Sequence, residues 1–458
     1  MFNPVEAVEQ FIKHPSVSTD SSFKEGMSGA RDHIAGLLKG IGLKVEIAET
    51  PLHPVVLARR EGPKEWPHVM IYGHYDVQPA DPIELWKTPP FEPTIKDGRL
   101  YGRGSADNKG PMMVNIAGFA KLLEKYPDLP MRVTFLIEGE EEIGSPSFNG
   151  FIEKYKDLLD VDFILLSDTS SKSEDEIMIT TGLRGVACMD VKLIGPNSDL
   201  HSGMYGGAVV NPIMALAKLC ATLHDEDGKV NIPGFYDDVQ FPEAWEREEL
   251  ERMDDGEESL KEFLGVPALF KHKGYTAGEC IRFLPTLEYN GIGGGYQGEG
   301  SKTIVPSEAF VKISCRVVPD QDPYAILELV SKILRERCPE GVTMEIEIGH
   351  SGGAYCVTPP DRSNTPADQN PVLADAFRAM DAAIKDVYGN PACYSREGGS
   401  VPIIGDLKRI LGADSLMLGM FTPKSKLHAP NESLDIEMFE KGIEVSYRTL
   451  ASVAKVEA

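Results

Sequence analysis

The sequence predicts an α/β protein in which a mostly central, helix-flanked sheet is interrupted by an inserted α+β unit. Three observations point there. Roughly the first 180 residues alternate strand-like apolar runs with amphipathic helix-like ones, the pattern of a sheet covered by helices. From Arg184 the texture changes to alternating strands, a helix and a long acidic stretch. Beyond PPDRSNTPADQNP, a linker-like cluster of Pro, Asn, Asp and Ser, the α/β character of the start resumes. The expected units are therefore 1–184 with 357–458, and an insertion at 185–356. At 458 residues the chain exceeds what a single core usually supports, which suits two units.

Taken in order, HVMIYGH at 68–74, MRVTFLI at 131–137 and FILLS at 163–167 read as strands. KGPMMVNIAGFAKLLEKY carries apolar residues at helical spacing, and Pro111 in its first turn suits a helix start. Within the insertion, VACMDVKLIG is followed by a polar loop and a helix at NPIMALAKLCATL. The run DDVQFPEAWEREELERMDDGEESLKEF reads as a solvated helical face without a site. KTIVPSEAFVKISCRVVP and VTMEIEIG supply alternating strands. The tail gives a helix at VLADAFRAMDAAIKDVYG, a short strand at SLMLGM and a final helix at SLDIEMFEKGIEVSYRTLASVAKV.

Composition removes several classes of function. Lys plus Arg number 46 against 71 Asp plus Glu, and a net charge of −25 repels nucleic acid and anionic lipid alike. The start MFNPVEAVEQFIKHPSVS has no basic segment followed by an apolar block, and no stretch reaches the length of a membrane span, so a cytoplasmic protein is expected. Seven cysteines, at 188, 220, 280, 315, 338, 356 and 393, form no C-x-x-C pair. Neither a disulfide framework nor a thiolate zinc site is suggested.

The stretch MRVTFLIEGEEEIGS runs an apolar strand into Glu140, Glu141 and Glu142. Like charges packed there repel one another and resist desolvation unless a cation faces them. His74 follows one strand, these glutamates a second, and Asp168 a third. In an open α/β sheet the crevice outside the carboxyl ends of the strands is where ligands bind, so the three sets would converge. Singly, a hydrogen-bonded histidine and a helix-capping aspartate are the ordinary readings. Together they make a site for two cations.

GHYDVQPA (73–80), GRGSADNKG (102–110), GEEEIGS (139–145), SDTS (167–170) and LHAPNE (427–432) resemble the metal-site motifs of one family. It is the co-catalytic di-zinc peptidase family of carnosinases, cytosolic nonspecific dipeptidases, aminoacylases and glutamate carboxypeptidases, and the likeness is greatest to the dipeptidases. The resemblance implies a metallopeptidase catalytic domain interrupted by a lid and dimerisation domain. It implies His74, Asp107 and Asp168 around one metal, and Asp107, Glu142 and His428 around the other, with Asp107 bridging. Nitrogen and oxygen ligands suit zinc, and the carboxylate share also suits manganese or cobalt.

Further roles follow from the same resemblance. Glu141 is the general base that takes a proton from a metal-bridging water and hands it to the leaving amine. Glu140 is left as a strand-end residue facing solvent. Strand alternation puts His74 and Asp76 on one face, where Asp76 can accept the ring's second N–H and fix its orientation. A cis peptide is expected between Asp107 and Asn108. His201, in SDLHSGMYGG, matches the histidine that reaches a partner subunit's active site to stabilise the oxyanion, which implies a working homodimer; a turn histidine is the ordinary alternative. Arg316 in KISCRVVP matches a substrate-carboxylate binder, with Thr303 beside it, and an inter-strand salt bridge is its alternative. Gly399 and Ser400 in SREGGSVP match a loop that holds bound peptide.

The implied activity is metal-dependent hydrolysis of dipeptides or short peptides with a free C-terminal carboxylate. An N-acyl-amino-acid deacylase or desuccinylase using the same site is the nearest alternative, and a non-catalytic scaffold a more distant one. His14, His33, His53, His68, His224 and His272 match no motif and are given solvated or structural roles. His350 is expected to steady a turn near the boundary of the insertion. The glycines of NGIGGGYQGEG lack the GxxxxGK[ST] of a phosphate loop, and no G-x-S-x-G elbow is present.

Overall fold

The run His68–His74 is buried at every position, as a strand with parallel neighbours on either side requires. It pairs in parallel with Arg132–Glu138 and with Phe163–Ser170, and the latter pairs in parallel with Asp414–Phe421. The computed structural model describes residues 2–362, 370–399 and 401–458, and among them this parallel centre belongs to a nine-stranded mixed sheet. Lys44–Ala48 and Val55–Arg60 add antiparallel strands on one side. Met178–Leu183, Tyr355–Cys356 and Cys393–Glu397 lie on the other. Four central strands thus run in one direction and finish at one edge, at His74, Glu138, Ser170 and Phe421.

The helix Lys109–Lys125 starts directly after Asn108, with Pro111 in its first turn, and is buried almost throughout. It packs on His68–His74, on Phe163–Ser170 and against the helix Ile436–Val453. Gly118 makes the last contact possible: a Cβ there would stand 2.9 Å from the Ser446 side chain. Two boundaries next to the candidate site differ from the sequence reading. The strand Phe163–Ser170 runs three residues past Ser167, so Asp168 lies within it. Ser433–Asp435 is a short strand paired with Arg99–Tyr101, and Asp435 caps the final helix by accepting from the Met438 N–H.

Gly185–Ile194, Thr286–Gly294, Glu308–Val317 and Thr343–Gly352 form a separate antiparallel sheet. Along Glu308–Val317 every second residue is buried, so Ile313, Cys315 and Val317 join Ala187, Met189 and Val191 in a core of their own. The helices Pro212–Ala221 and Pro323–Arg337 supply the rest of that core. Arg316, Ser314 and Cys188 fall on the opposite face. The glycines of NGIGGG sit in and just after Thr286–Gly294, which bulges between Tyr289 and Gly291. His350 stands within Thr343–Gly352 rather than in a turn, its Nε2 3.8 Å from Cys188 Sγ.

The acidic run is not wholly a solvated face. In the helix Ala244–Met253, Glu246 is 5% exposed and pairs with Arg396 at 2.7 Å, while Glu249 meets Arg252 at 2.6 Å and Arg362 at 2.9 Å. Leu250 and Met253 turn this helix onto Met178 and Cys393 of the larger sheet, which carries its acidic side inward. All seven cysteines are free. Among the described residues no helix is long and apolar enough to cross a membrane.

Candidate metal centre

His74 closes its strand fully buried, and its two ring nitrogens face different groups. Nδ1 lies 3.0 Å from the Asp76 carbonyl oxygen and 3.3 Å from Asp76 Oδ1. Nε2 lies 3.3 Å from Asp107 Oδ1 and 3.5 Å from Asp168 Oδ2. The strand ends at His74, and Asp76, two residues beyond, meets the ring's Nδ1 side. Asp76 Oδ2 also accepts from the Glu142 N–H at 3.1 Å, which ties the second glutamate segment to the first strand end.

Asp107 sits at the end of the loop that enters the helix Lys109–Lys125, and the bond to Asn108 is cis. Its carboxylate is shared between two histidines: Oδ1 faces His74, and Oδ2 lies 2.9 Å from His428 Nε2. His428 is also 3.5 Å from Glu142 Oε2. Glu142 lies in the one-turn helix Glu141–Ile143, closed by Gly144 at φ 81°, where a residue with a side chain would be strained. Gln78 holds Glu142 in place: its N–H reaches Oε1 at 3.1 Å and its Nε2 reaches Oε2 at 2.7 Å.

Charge is concentrated here. Burial, then Asp107, pushes the Glu142 carboxyl up to about 10 despite His74. Burial pushes Glu141 well above its ordinary value, with Asp168, Asp107 and Asp76 adding to the effect against His74. Burial opposes ionisation of Asp107, yet its contacts with His428 and His74 hold it below the ordinary carboxylate range. Burial would lower His74, and Asp107, Asp168 and Asp76 together raise it well above its usual value. The contact with Asp107 likewise raises His428.

A divalent cation fits this donor set. Ligand atoms of His74, Asp107 and Glu142 all lie within 4.8 Å of one another. His74 Nε2 is buried, 3.3 Å from one carboxylate and 3.5 Å from another, without a well-aligned hydrogen bond to either. Imidazole nitrogen with carboxylate oxygen is the ligand chemistry of zinc, manganese and cobalt.

The structure brings His74, Asp76, Asp107, Glu141, Glu142, Asp168 and His428 together. The other candidates stand elsewhere. His201 is exposed on the short strand Leu200–His201, and its Nδ1 accepts from the Gly203 N–H at 3.1 Å. Thr303 is beside it, accepting from the Ser202 N–H at 3.0 Å. Arg316 lies in Glu308–Val317 near Arg184, whose guanidinium burial and Arg316 hold down to about 10. Gly399 is exposed, next to Gly398, whose carbonyl accepts from Arg184 Nε at 3.0 Å. Ser400 lies outside the described residues.

Glu140 does not face solvent. It is 3% exposed; its Oε1 accepts from Thr50 Oγ1 at 3.0 Å and the His53 N–H at 2.8 Å, and its Oε2 from the Ser147 N–H at 3.0 Å. Gln78, Arg103 and Glu432 were not singled out from the sequence, although all three stand inside or beside quoted motifs. Gln78 is in GHYDVQPA and Glu432 ends LHAPNE, and both hold residues of the centre.

The sequence pattern of peptidase family M20/M25/M40 matches residues 70–452. The chain belongs to this family. Among M20 relatives, the Cys-Gly metallodipeptidase DUG1 of Candida albicans is 31% identical, over 96% of this chain and 92% of that protein. The Beta-Ala-His dipeptidase of Homo sapiens is 30% identical, over 84% and 74%. A solved M20 structure, the metallo-carboxypeptidase Sso-CP2 of Sulfolobus solfataricus, superposes with a TM-score of 0.87 at 33% identity, over the whole of both chains. The expected fold class is therefore correct, and the chain is an M20 hydrolase of the metallopeptidase kind.

Proposed function

We propose that this chain hydrolyses dipeptides and similarly short peptides with a free C-terminal carboxylate, as a metal-dependent dipeptidase. The observation that carries the reading is the Asp107 carboxylate, met by His74 at one oxygen and by His428 at the other. Names of relatives that cleave Cys-Gly and Beta-Ala-His support the substrate class. His74, Asp107 and Asp168 would hold one ion, and Asp107, Glu142 and His428 a second, with zinc or manganese favoured and cobalt possible. When bound, such ions supply the positive charge that acidifies a water and polarises a carbonyl.

The chain's own groups do the rest. Glu141, beside His74, Asp107 and Asp168, takes the proton of the attacking water and returns it to the leaving amine. Asp76 and the Asp76 carbonyl orient the His74 ring. Arg316 and Thr303 bind the substrate carboxylate, and the loop with Gly399 and Ser400 holds the peptide. His201 of the partner subunit donates to the oxyanion. A second copy suits the surface just after His201, where Met204, Tyr205, Val209, Ile213 and Met214 are exposed. In this reading 1–184 and 357–458 are the catalytic unit and 185–356 the lid and dimerisation unit, a division that the two main cores support, although Tyr355–Cys356 and the helix Ala244–Met253 join the larger sheet. Seven free cysteines suit a reducing, cytoplasmic location.

The test reconstitutes metal-free protein with Zn²⁺, Mn²⁺ or Co²⁺ and compares unmodified dipeptides, longer peptides and N-acyl amino acids. Dipeptides should have the highest kcat/KM. A preference for longer peptides would favour the carboxypeptidase reading that the Sulfolobus likeness suggests. Faster turnover of N-acyl amino acids would replace dipeptide hydrolysis with deacylation.

A further inference from the structure

We infer that Glu432 is a positioning residue of the metal centre, which locks the loop carrying Asp107 to the loop carrying His428 and so fixes how those two residues meet. The inference rests on reading Asp107 and His428 as ligands.

Glu432 is fully buried, 325 residues from Asp107 in the chain. Its Oε1 accepts from the N–H of Ala106 at 2.8 Å and of Asp107 at 3.0 Å. Its Oε2 accepts from Arg103 Nη1 at 2.6 Å and the Gly104 N–H at 3.0 Å. Its backbone carbonyl accepts from the Gly102 N–H at 3.1 Å. A carboxylate offers about four acceptor positions, so this side chain is saturated by a single loop. One of those donors is the amide of Asp107 itself.

Arg103 extends the lock to a third segment. It is 1% exposed, its Nη2 donates to the Pro79 carbonyl at 3.1 Å, and its guanidinium lies 5.5 Å from the Trp86 ring. Pro79 follows Gln78, which holds Glu142. On its other side Glu432 ends a turn in which Lys426, His428 and Asn431 all have left-handed backbone, at φ 56°, 54° and 67°. Side-chain-bearing residues adopt that conformation only when their surroundings impose it. Asn431 anchors the turn by accepting from the Lys87 N–H at 2.7 Å and donating to the Leu85 carbonyl at 3.0 Å, and Glu432 anchors its end. His428 is presented between a strained turn and a saturated carboxylate.

A residue that merely stabilised the fold would change the melting temperature and leave the relation between the two ion sites alone. Glu432→Gln removes the charge facing Arg103 and turns an amide group toward backbone donors, while keeping the side chain's size. Zn²⁺ is titrated calorimetrically into metal-free protein, with bound metal counted after desalting. The wild type should take up two ions per chain. Glu432→Gln should weaken the ion held with His428 by about 10–100-fold, as loss of an orienting partner typically does, and the ion held with His74 far less. Glu432→Asp, which restores the charge, should recover part of the loss and decides the matter if the Gln variant does not fold. Equal weakening of both ions, or of neither with only a lower melting temperature, would overturn the inference. A wild-type chain that took up no ion would instead overturn the metal centre.

Discussion

Glu140, Glu141 and Glu142 are consecutive and chemically identical, yet each meets different partners. Glu140 accepts three hydrogen bonds from groups at 50, 53 and 147. Glu140→Ala should therefore cost about 1.5–3 kcal/mol in denaturant unfolding of the metal-loaded protein, with metal content unchanged. Glu141 has no ligand role in the proposed centre. Glu141→Ala should keep both metals by elemental analysis and lower kcat by about 10²–10⁴-fold, the range of a lost general base. An unchanged kcat would remove Glu141 from the mechanism. Glu142 carries a pH prediction. In the metal-free chain its carboxyl stands at about 10 against an ordinary 4.5. The native state then holds a proton that the unfolded state has released between those values. The stability it contributes is complete below the lower value and is lost as pH rises through the upper one. Metal-free protein should melt progressively lower as pH is raised from about 6 to 9, and metal-loaded protein should show much less of this slope.

Elements were legible to different degrees, for a physical reason. Strands of the parallel centre are buried on both faces, so HVMIYGH and MRVTFLI announce themselves as apolar runs, and the groups at their ends follow. The motif residues at those ends could be read as a set because each follows a readable strand or loop. What stayed hidden is polar pairing at long range. Glu246 is buried because Arg396, 150 residues on, meets it, and nothing in EAWEREELERM records that partner. Glu140 is hidden for the same reason, its partners at Thr50 and His53 lying 90 and 87 residues back. Glu432 stood in a quoted motif, but its donors at 103–107 could not be inferred from spacing. The buried pair gives a test at this scale. Glu246→Ala should destabilise by about 3–5 kcal/mol, since it leaves Arg396 buried without its charge partner, whereas Glu246→Leu combined with Arg396→Met should lose much less. Equilibrium unfolding of the single and double variants separates the two.

At the scale of the whole molecule, the proposed active site needs a second chain. His201 and Thr303 sit together at the small two-stranded pairing of Leu200–His201 with Ile304–Val305, apart from the four-stranded inserted sheet. Mixing inactive Glu141→Ala protein with inactive His201→Ala protein under subunit exchange should restore about a quarter of the wild-type rate, because random re-pairing gives half heterodimers with one competent site each. No recovery would mean that each site is built from one chain. The place of Asp414–Phe421 has a consequence during synthesis. That strand fills the slot between Phe163–Ser170 and Met178–Leu183, yet it is made after the whole insertion. Until it leaves the ribosome, the nascent larger sheet keeps two open edges in its middle, while the insertion, with its own core, can already close. The emerging chain is therefore most exposed to mispairing and to chaperone capture over that interval, and translation stalled before residue 414 will yield a folded insertion on an unfinished sheet.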